Sequence, residues 1–389
     1  MQLPIYLDHA ATTPVLPEVL EDMLPYFADV FANPATLYAS GLQAREAVEE
    51  ARAMIAEAIG ADASEIYFTS GGTESDNWAI KGMALASGER RHLLSTPIEH
   101  HAVLDSCLAL EKQGYEVEFL PVDSEGYVDP DEVARRIRPD TFLVSVMHAN
   151  NEVGTIEPIE EIGKICREKG VKFHSDGVQS FGNLPIIDVN RLNVDLLTLS
   201  AHKLYGPKGV GALYIRRGTR IGRFMDGGEQ EKGRRAGTLN VPAIVGFGSA
   251  VRRMLKDHHA EVPRLIALRD RLIDGVLAQI PKARLSGPRT NRLPNNVHFC
   301  FGGIEGESLL LSLEMAGIYA SAGSACTAGS TEPSHVLLAM GIPVEWARGA
   351  LRMSLGRSTT EEAIDYTIEQ LTQIVQELRA LAGVGVASQ

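Results

Sequence analysis

The chain of 389 residues is 44% hydrophobic and 22% charged, enough apolar material for a large core and two domains, and it holds no low-complexity tract. Its formal charge of −13 argues against a nucleic-acid binder, which needs a basic face, although Arg234-Arg235 leaves room for a local basic patch. The start MQLPIYLD lacks the basic-then-apolar order of a secretory signal and no uncharged apolar run reaches membrane-spanning length, so a cytoplasmic location is expected, with no membrane or direct nucleic-acid partner.

In chain order, the first strong element is a helix over 42–59, preceded by Ser40, in which Ala44, Val48, Ala51 and Ile55 share one face. From about residue 65 to residue 215, short runs rich in Val, Ile, Leu and Phe alternate with longer helical patterns, as in a parallel sheet covered by helices. The expected strands are 65–69, 92–96, 116–121, 141–148, 171–176, 194–200 and 210–215, with amphipathic helices over 72–86 and 158–169. The fold class is therefore α/β, with a large, mostly parallel, seven-stranded sheet. After about residue 255 the pattern changes to a long helix over 263–279, fewer strands and a last helix near 360–381. This indicates a large domain over 15–255 and a smaller α+β domain made of 1–14 and 256–389. Cys107, Cys166, Cys300 and Cys326 have no paired short spacing, which argues against a structural zinc site or a disulfide framework, and no metal site is expected.

Several strand ends carry chemistry. Lys203 follows the strand 194–200, so its amine emerges at the carboxyl edge of the sheet, where open α/β folds bind ligands; taken alone, a surface lysine explains it as well. A lysine that forms a Schiff base with an aldehyde cofactor needs partners for the cofactor's phosphate, ring nitrogen and ring face. Asp176, ending the strand 171–176, can pair a ring nitrogen, and Gln179 can donate to a ring hydroxyl, although a helix cap is the commoner use of a lone Asp. The run Ser70-Gly71-Gly72-Thr73 between a strand and a helix suits a phosphate, or else is a Gly-rich turn capped by Thr73. Ser200 and His202 flank the lysine and can donate to the same phosphate. His100 follows the strand ending near residue 96 and can stack on a ring and later pass protons as a catalytic group, with a buried, satisfied histidine as the alternative. Asn150 and Asn151 follow the strand 141–148, where turn chemistry would explain them equally.

Together these segments resemble one family, the cysteine desulfurases of the nitrogen-fixation and iron-sulfur-cluster (NifS/IscS) type, which are class V aminotransferase, fold-type I pyridoxal-phosphate enzymes. The matching stretches are YLDHAATTP (6–14), FTSGGTESDN (68–77), EHHAVL (99–104), HANNEVGT (148–155), HSDGVQ (174–179), SAHKLYGPKGVG (200–211), RRAGTLN (234–240), SAGSACTAGSTEPSHV (321–336) and LRMSLGR (351–357), in family order over nearly the whole chain. Small departures, Asn33-Pro34-Ala35-Thr36 for Asn-Pro-Ser-Ser and His9 where Asn is also common, touch no catalytic position.

The resemblance implies that pyridoxal 5'-phosphate is held as a Schiff base by Lys203, with Asp176 on the ring nitrogen, Gln179 and Asn151 near the ring hydroxyl and His100 on the ring face. Gly72, Thr73, Ser200 and His202 would bind the phosphate, and Thr238 would reach the phosphate of a second subunit, so a homodimer is implied. Arg352, with Asn151, would bind the substrate L-cysteine through its carboxylate, as a guanidinium fork suits. Cys326, in a Gly/Ser/Ala-rich loop over about 321–333, would take the sulfur as a persulfide, leaving L-alanine, and pass it to an iron-sulfur scaffold protein of the NifU/IscU kind or another acceptor. An aminotransferase, a selenocysteine lyase and a non-enzymatic sulfur carrier on the same fold are the alternatives; Cys326 opposes the first and the intact Lys203 site opposes the last. Cys107, Cys166 and Cys300 are expected to be buried.

Overall fold

A computed structural model of the protein describes residues 3–184, 187–323 and 332–383. Its strands are β1 (Ile5–Tyr6), β2 (Ile66–Thr69), β3 (His92–Ser95), β4 (Glu116–Phe119), β5 (Thr141–Ser145), β6 (Lys172–Asp176), β7 (Leu196–Ser200), β8 (Gly211–Ile215), β9 (Ala283–Leu285), β10 (Asn296–Phe301), β11 (Ile318–Tyr319) and β12 (Ala350–Ser354). All seven strands expected between residues 65 and 215 form one sheet, in the order β2-β8-β7-β6-β5-β3-β4. Strands β3 to β7 pair in parallel, while β8 is antiparallel to both β2 and β7.

Every residue of β2, β3, β5, β7 and β8 is buried, which is why these strands read as continuous apolar runs rather than as alternating ones. One face of the sheet packs on helices Gly72–Leu85 and His101–Glu111 through Trp78, Ile80, Val103 and Leu110. The other face packs on helices Ala39–Ala58 and Ile159–Glu168 and on Phe247 and Ile244 of the long helix Val241–Gln279. A further core surrounds the antiparallel sheet β12-β10-β9, covered by helices Gly306–Met315 and Glu361–Leu381.

Two helices differ from expectation. The helix expected from residue 42 starts at Ala39, so Ser40 lies inside its first turn, and Tyr38 at the N-cap makes no side-chain bond. Burial of Gly41 and Ala44 holds that turn in place of a cap. The helix expected to begin at Pro263 is continuous from Val241, with Pro263 inside it. A proline looks like a helix start because it lacks the N–H that interior positions need. Here the upstream end is capped by Asn240, which accepts the Ala243 N–H, and apolar residues on both sides of Pro263 are buried, Phe247 and Val251 in one core and Leu268 and Leu272 in the other.

The N-terminal segment ties the two sheets together. β1 pairs with β11, and then His9 Nδ1 donates to the Ser354 carbonyl at 3.0 Å while the Ala10 N–H donates to Ser354 Oγ at 2.8 Å. Thr13 goes on to bond the His202 carbonyl, beside Lys203.

Candidate active site

The carboxyl ends of the parallel strands open on one cavity of about 260 Å³. β2 delivers Gly72 and Thr73, β3 His100, and β5 Asn151 to its lining. β6 delivers Asp176 and Gln179, β7 delivers Ser200, His202 and Lys203, and Arg352 of β12 closes the far side. The chain changes direction across the sheet here, with β5 lying between β3 and β6, the position where open α/β sheets bind ligands. Two expected site residues are not in this lining. Thr238 is exposed in the segment before Asn240, and Cys326 lies outside the described residues.

Lys203 ends a short 3-10 turn, Ala201–Lys203, and its Nζ donates to the carbonyls of Ala10 and Ala11 at 2.5 and 2.7 Å. Two residues on, Tyr205 has φ +66°, a left-handed conformation that costs an aromatic residue energy and is found where surroundings impose it. They do so here through a bond from the Tyr205 N–H to Thr13 Oγ1 (2.8 Å) and one from the Arg357 N–H to the Tyr205 hydroxyl (2.8 Å).

The glycine-rich turn is built for close approach. Gly71 has φ +153° and stands at the N-cap of helix Gly72–Leu85 without any side-chain cap, so Thr73 does not cap the turn, and the uncapped helix start lies in the cavity lining at Gly72 and Thr73. A Cβ on Gly72 would lie 2.9 Å from Val178 Cγ2, so any larger residue would have to push that side chain aside. Ser200 Oγ is buried at the same place without a hydrogen-bond partner. The acidic Glu74 in this first turn is paired with Arg235 at 2.7 Å and accepts the Ser70 N–H, so its charge is compensated. His202 accepts or donates to Thr12 Oγ1 at 3.1 Å, and burial together with Lys203 and Lys208 lowers its pKa to about 4, so its ring is neutral.

At the opposite end, Asp176 accepts the Val178 N–H at 2.8 Å; burial raises its pKa and Lys203 opposes the rise. Gln179 is buried and its amide donates to the Ala10 carbonyl at 3.0 Å. His100 caps helix His101–Glu111, its Nδ1 accepting the Ala102 N–H at 3.1 Å. Burial and the neighbouring Lys203 lower the His100 pKa to about 4, so the ring is neutral and its proton sits on Nε2. Of the asparagine pair, Asn150 serves the turn, its Oδ1 accepting the N–H groups of Glu152 and Val153, while Asn151 lines the cavity.

Arg352 is only 2% exposed, in the middle of β12 rather than at an element's end. Its Nη2 bonds Asp8 Oδ1 at 2.9 Å and its Nη1 bonds the carbonyls of Asn151 and Gly323, while Nε is buried without a partner. Cys107, Cys166 and Cys300 are buried as expected, and burial raises the pKa of each thiol, that of Cys107 to about 12, so none of them is a ready thiolate.

Sequence reasoning missed three buried carboxyls around the cavity. Asp76 lies on helix Gly72–Leu85 and Glu152 follows Asn151; both line it. Glu99 stands just behind His100 and accepts the Met147 N–H at 2.8 Å. The signal for Asp76 was present as an acidic residue three and four places before Ala79 and Ile80, on the same buried helix face.

The cavity fits pyridoxal phosphate on its own chemistry. It offers a primary amine, a carboxylate that can face a ring nitrogen, and an uncapped helix start with an orphaned buried hydroxyl and a glycine cradle for a phosphate.

Residues 5–367 match the family model of aminotransferase class-V. The chain is 51% identical over 383 residues to a protein of Dictyoglomus turgidum named cysteine desulfurase IscS, covering 98% of this chain and 97% of that one. Among solved structures it is similar to a NifS-like protein, with TM-score 0.91 and 38% identity over 97% of this chain and 100% of the other. It is also similar to SspA solved in complex with cysteine, with TM-score 0.81 and 39% identity over 90% and 98% of the two chains.

Proposed function

The chain belongs to the aminotransferase class-V family, and from that premise we propose that it is a pyridoxal-phosphate-dependent cysteine desulfurase that moves sulfur from L-cysteine to Cys326 and leaves L-alanine. The observation that carries this reading is the convergence of Lys203, Asp176, the Gly72 cradle and Arg352 on one cavity. When bound, pyridoxal phosphate supplies the electron sink that loosens the bonds at the substrate's Cα.

The chain's own residues do the rest. Lys203 would hold the cofactor's aldehyde through its Nζ, and the same amine is the group that would take the substrate's Cα proton. Asp176 would pair with the ring nitrogen, and His100 would lie against the ring. Gly72, Thr73, Ser200 and His202 would bind the phosphate, and Gln179 and Asn151 would contact the ring hydroxyl. The unpartnered Nε of Arg352 supports its role as binder of the substrate carboxylate, for which one of its Nη contacts would open. The Cys326 thiolate then attacks the substrate sulfur: an S–S bond forms, the substrate's Cβ–S bond breaks, and the thiol proton ends on the alanine product. L-cysteine plus one protein thiol thus become L-alanine plus one persulfide.

The unit 15–255 would hold the cofactor, and 1–14 with 256–389 would carry the segment 321–333; the separate hydrophobic cores support this division. A homodimer, with Thr238 reaching the second subunit's cofactor, is supported by a run of exposed large apolar residues, Phe27 (60%), Phe31 (74%), Leu37 (81%) and Tyr38 (60%). A cytoplasmic location is supported by the three free cysteines among the described residues. The persulfide would go to an iron-sulfur scaffold protein.

The test is turnover of L-cysteine with a thiol reductant present. Alanine and sulfide should form in equal amounts, and Cys326→Ala should still bind cofactor and cysteine but release no sulfide. Sulfide release by Cys326→Ala near the unmutated rate would overturn the proposal.

A further inference from the structure

Asp76 stands beside Asp176 in the cavity, and the two are the only aspartates among the described lining residues. Asp76 is 1% exposed, and its Oδ1 has no hydrogen-bond partner. The groups facing it are Asp176 from β6, Glu99 from the segment after β3, and His174 from β6, whose Nε2 lies 3.6 Å from Asp76 Oδ1. His174 offers no compensating charge. Its Nδ1 is bonded to Ser145 Oγ (2.8 Å) and its Nε2 to Thr198 Oγ1 (3.1 Å), and burial lowers its pKa to about 3, so it stays neutral. A buried chain thus runs from Ser145 through His174 to Thr198, whose hydroxyl is the one group that favours the charged form of Asp76.

Two carboxylates side by side in a buried site cannot both be ionised with one lysine near them. Asp176 has what an anion needs, a backbone N–H from Val178 and the field of Lys203. Asp76 has neither, and burial and Asp176 push its pKa well up against the opposing Thr198 hydroxyl. We propose that Asp76 is a positioning residue, kept as the neutral acid at the end of the Ser145–His174–Thr198 chain so that the pair's single negative charge rests on Asp176. Resting on the cofactor assignment above, this deepens it: the protein fixes which carboxyl faces the ring nitrogen as an anion, by denying charge to its neighbour.

The neutral acid has a close mimic in asparagine, which makes the test specific. A group whose folded pKa is raised contributes stability that is complete below its unfolded pKa, about 3.9, and is lost as pH rises toward the folded value. The full-length protein should therefore lose melting temperature relative to Asp76→Asn between pH 5 and pH 8. Over the same range Asp76→Asn should bind pyridoxal phosphate within about twofold of the unmutated protein, while Asp176→Asn should weaken binding by about tenfold or more, one unit of pKa-equivalent interaction. An unchanged difference in melting temperature across that pH range, or a loss of cofactor affinity in Asp76→Asn equal to that in Asp176→Asn, would overturn the proposal. Should Asp76→Asn fail to fold, isotope-edited infrared spectra of the unmutated protein labelled at Asp carboxyls decide: a protonated-acid carbonyl band at pH 7 supports it and its absence overturns it. If neither variant alters cofactor binding but the melting and infrared results hold, the cofactor assignment fails and the neutral acid stands.

Discussion

Lys203 is held at the inner end of the cavity by two carbonyls of the N-terminal segment, so its position is set by residues nearly two hundred places away in sequence. Lys203→Ala should abolish the cofactor absorbance that borohydride fixes to the protein and slow turnover by about 10²- to 10⁴-fold, the range typical of a positioned proton-transfer group. A borohydride-fixed chromophore in the variant would disprove the lysine assignment. Neighbouring residues carry opposite sensitivities to pH. Burial lowers the His148 pKa to about 4, so its neutral ring stabilises the fold above the unfolded value near 6.5 and loses that contribution as pH falls toward 4. Burial raises the Glu157 pKa to about 8, and its contribution is lost as pH climbs from the unfolded value near 4.3 to about 8, levelling off above. Thermal melts should show the unmutated protein weakening relative to His148→Gln between pH 7 and pH 5, and relative to Glu157→Gln between pH 5 and pH 8. Parallel melting curves in either comparison would mean that the group is charged alike in both states.

Among the elements, the seven strands of the large sheet were legible because burial on both faces writes them as short unbroken apolar runs. Lys203, Asp176 and the Gly71-Gly72 turn were legible for a related reason, since a parallel sheet gathers all its carboxyl ends at one edge. Asp76 and Glu99 were not assigned there: an acid on a buried helix face marks Asp76 as unusual, but only tertiary packing brings that face to the crevice and Glu99 behind His100. Arg352 entered by family resemblance; what places it is the pairing of β12 with β10 and its bond to Asp8, contacts spanning most of the chain. The misread start at Pro263 shows tertiary burial overriding a local breaker. A proline inside a helix costs about 3 kcal/mol against alanine, and about 1 kcal/mol of that is returned through the unfolded chain. Pro263→Ala should accordingly raise stability by about 2 kcal/mol, read as a higher denaturant midpoint; a lowered midpoint would mean that the packing of Leu265 and Leu268 depends on a bend made by the proline.

For the molecule as a whole, the exposed Phe27, Phe31, Leu37 and Tyr38 are too many large apolar groups in one short stretch for scattered surface residues. Phe31→Asp combined with Leu37→Asp should halve the mass seen in sedimentation while leaving helix content intact; a unimolecular mass before mutation would remove the homodimer from the reading. The N-terminal segment has a consequence of another kind. Ile5 pairs with Ile318, Asp8 with Arg352 and His9 with Ser354, yet these partners lie more than three hundred residues later in the chain. A ribosome adding roughly 5 to 20 residues per second leaves the first ten residues waiting on the order of tens of seconds for their partners to be made. Until then the segment is held only by residues of the large sheet's edge, Gln179 on the Ala10 carbonyl and His202 on Thr13. The large sheet can form on the ribosome, but the cavity at its edge is closed only when synthesis is nearly complete, because Gly323, His335 and Arg352 of its lining are among the last residues made.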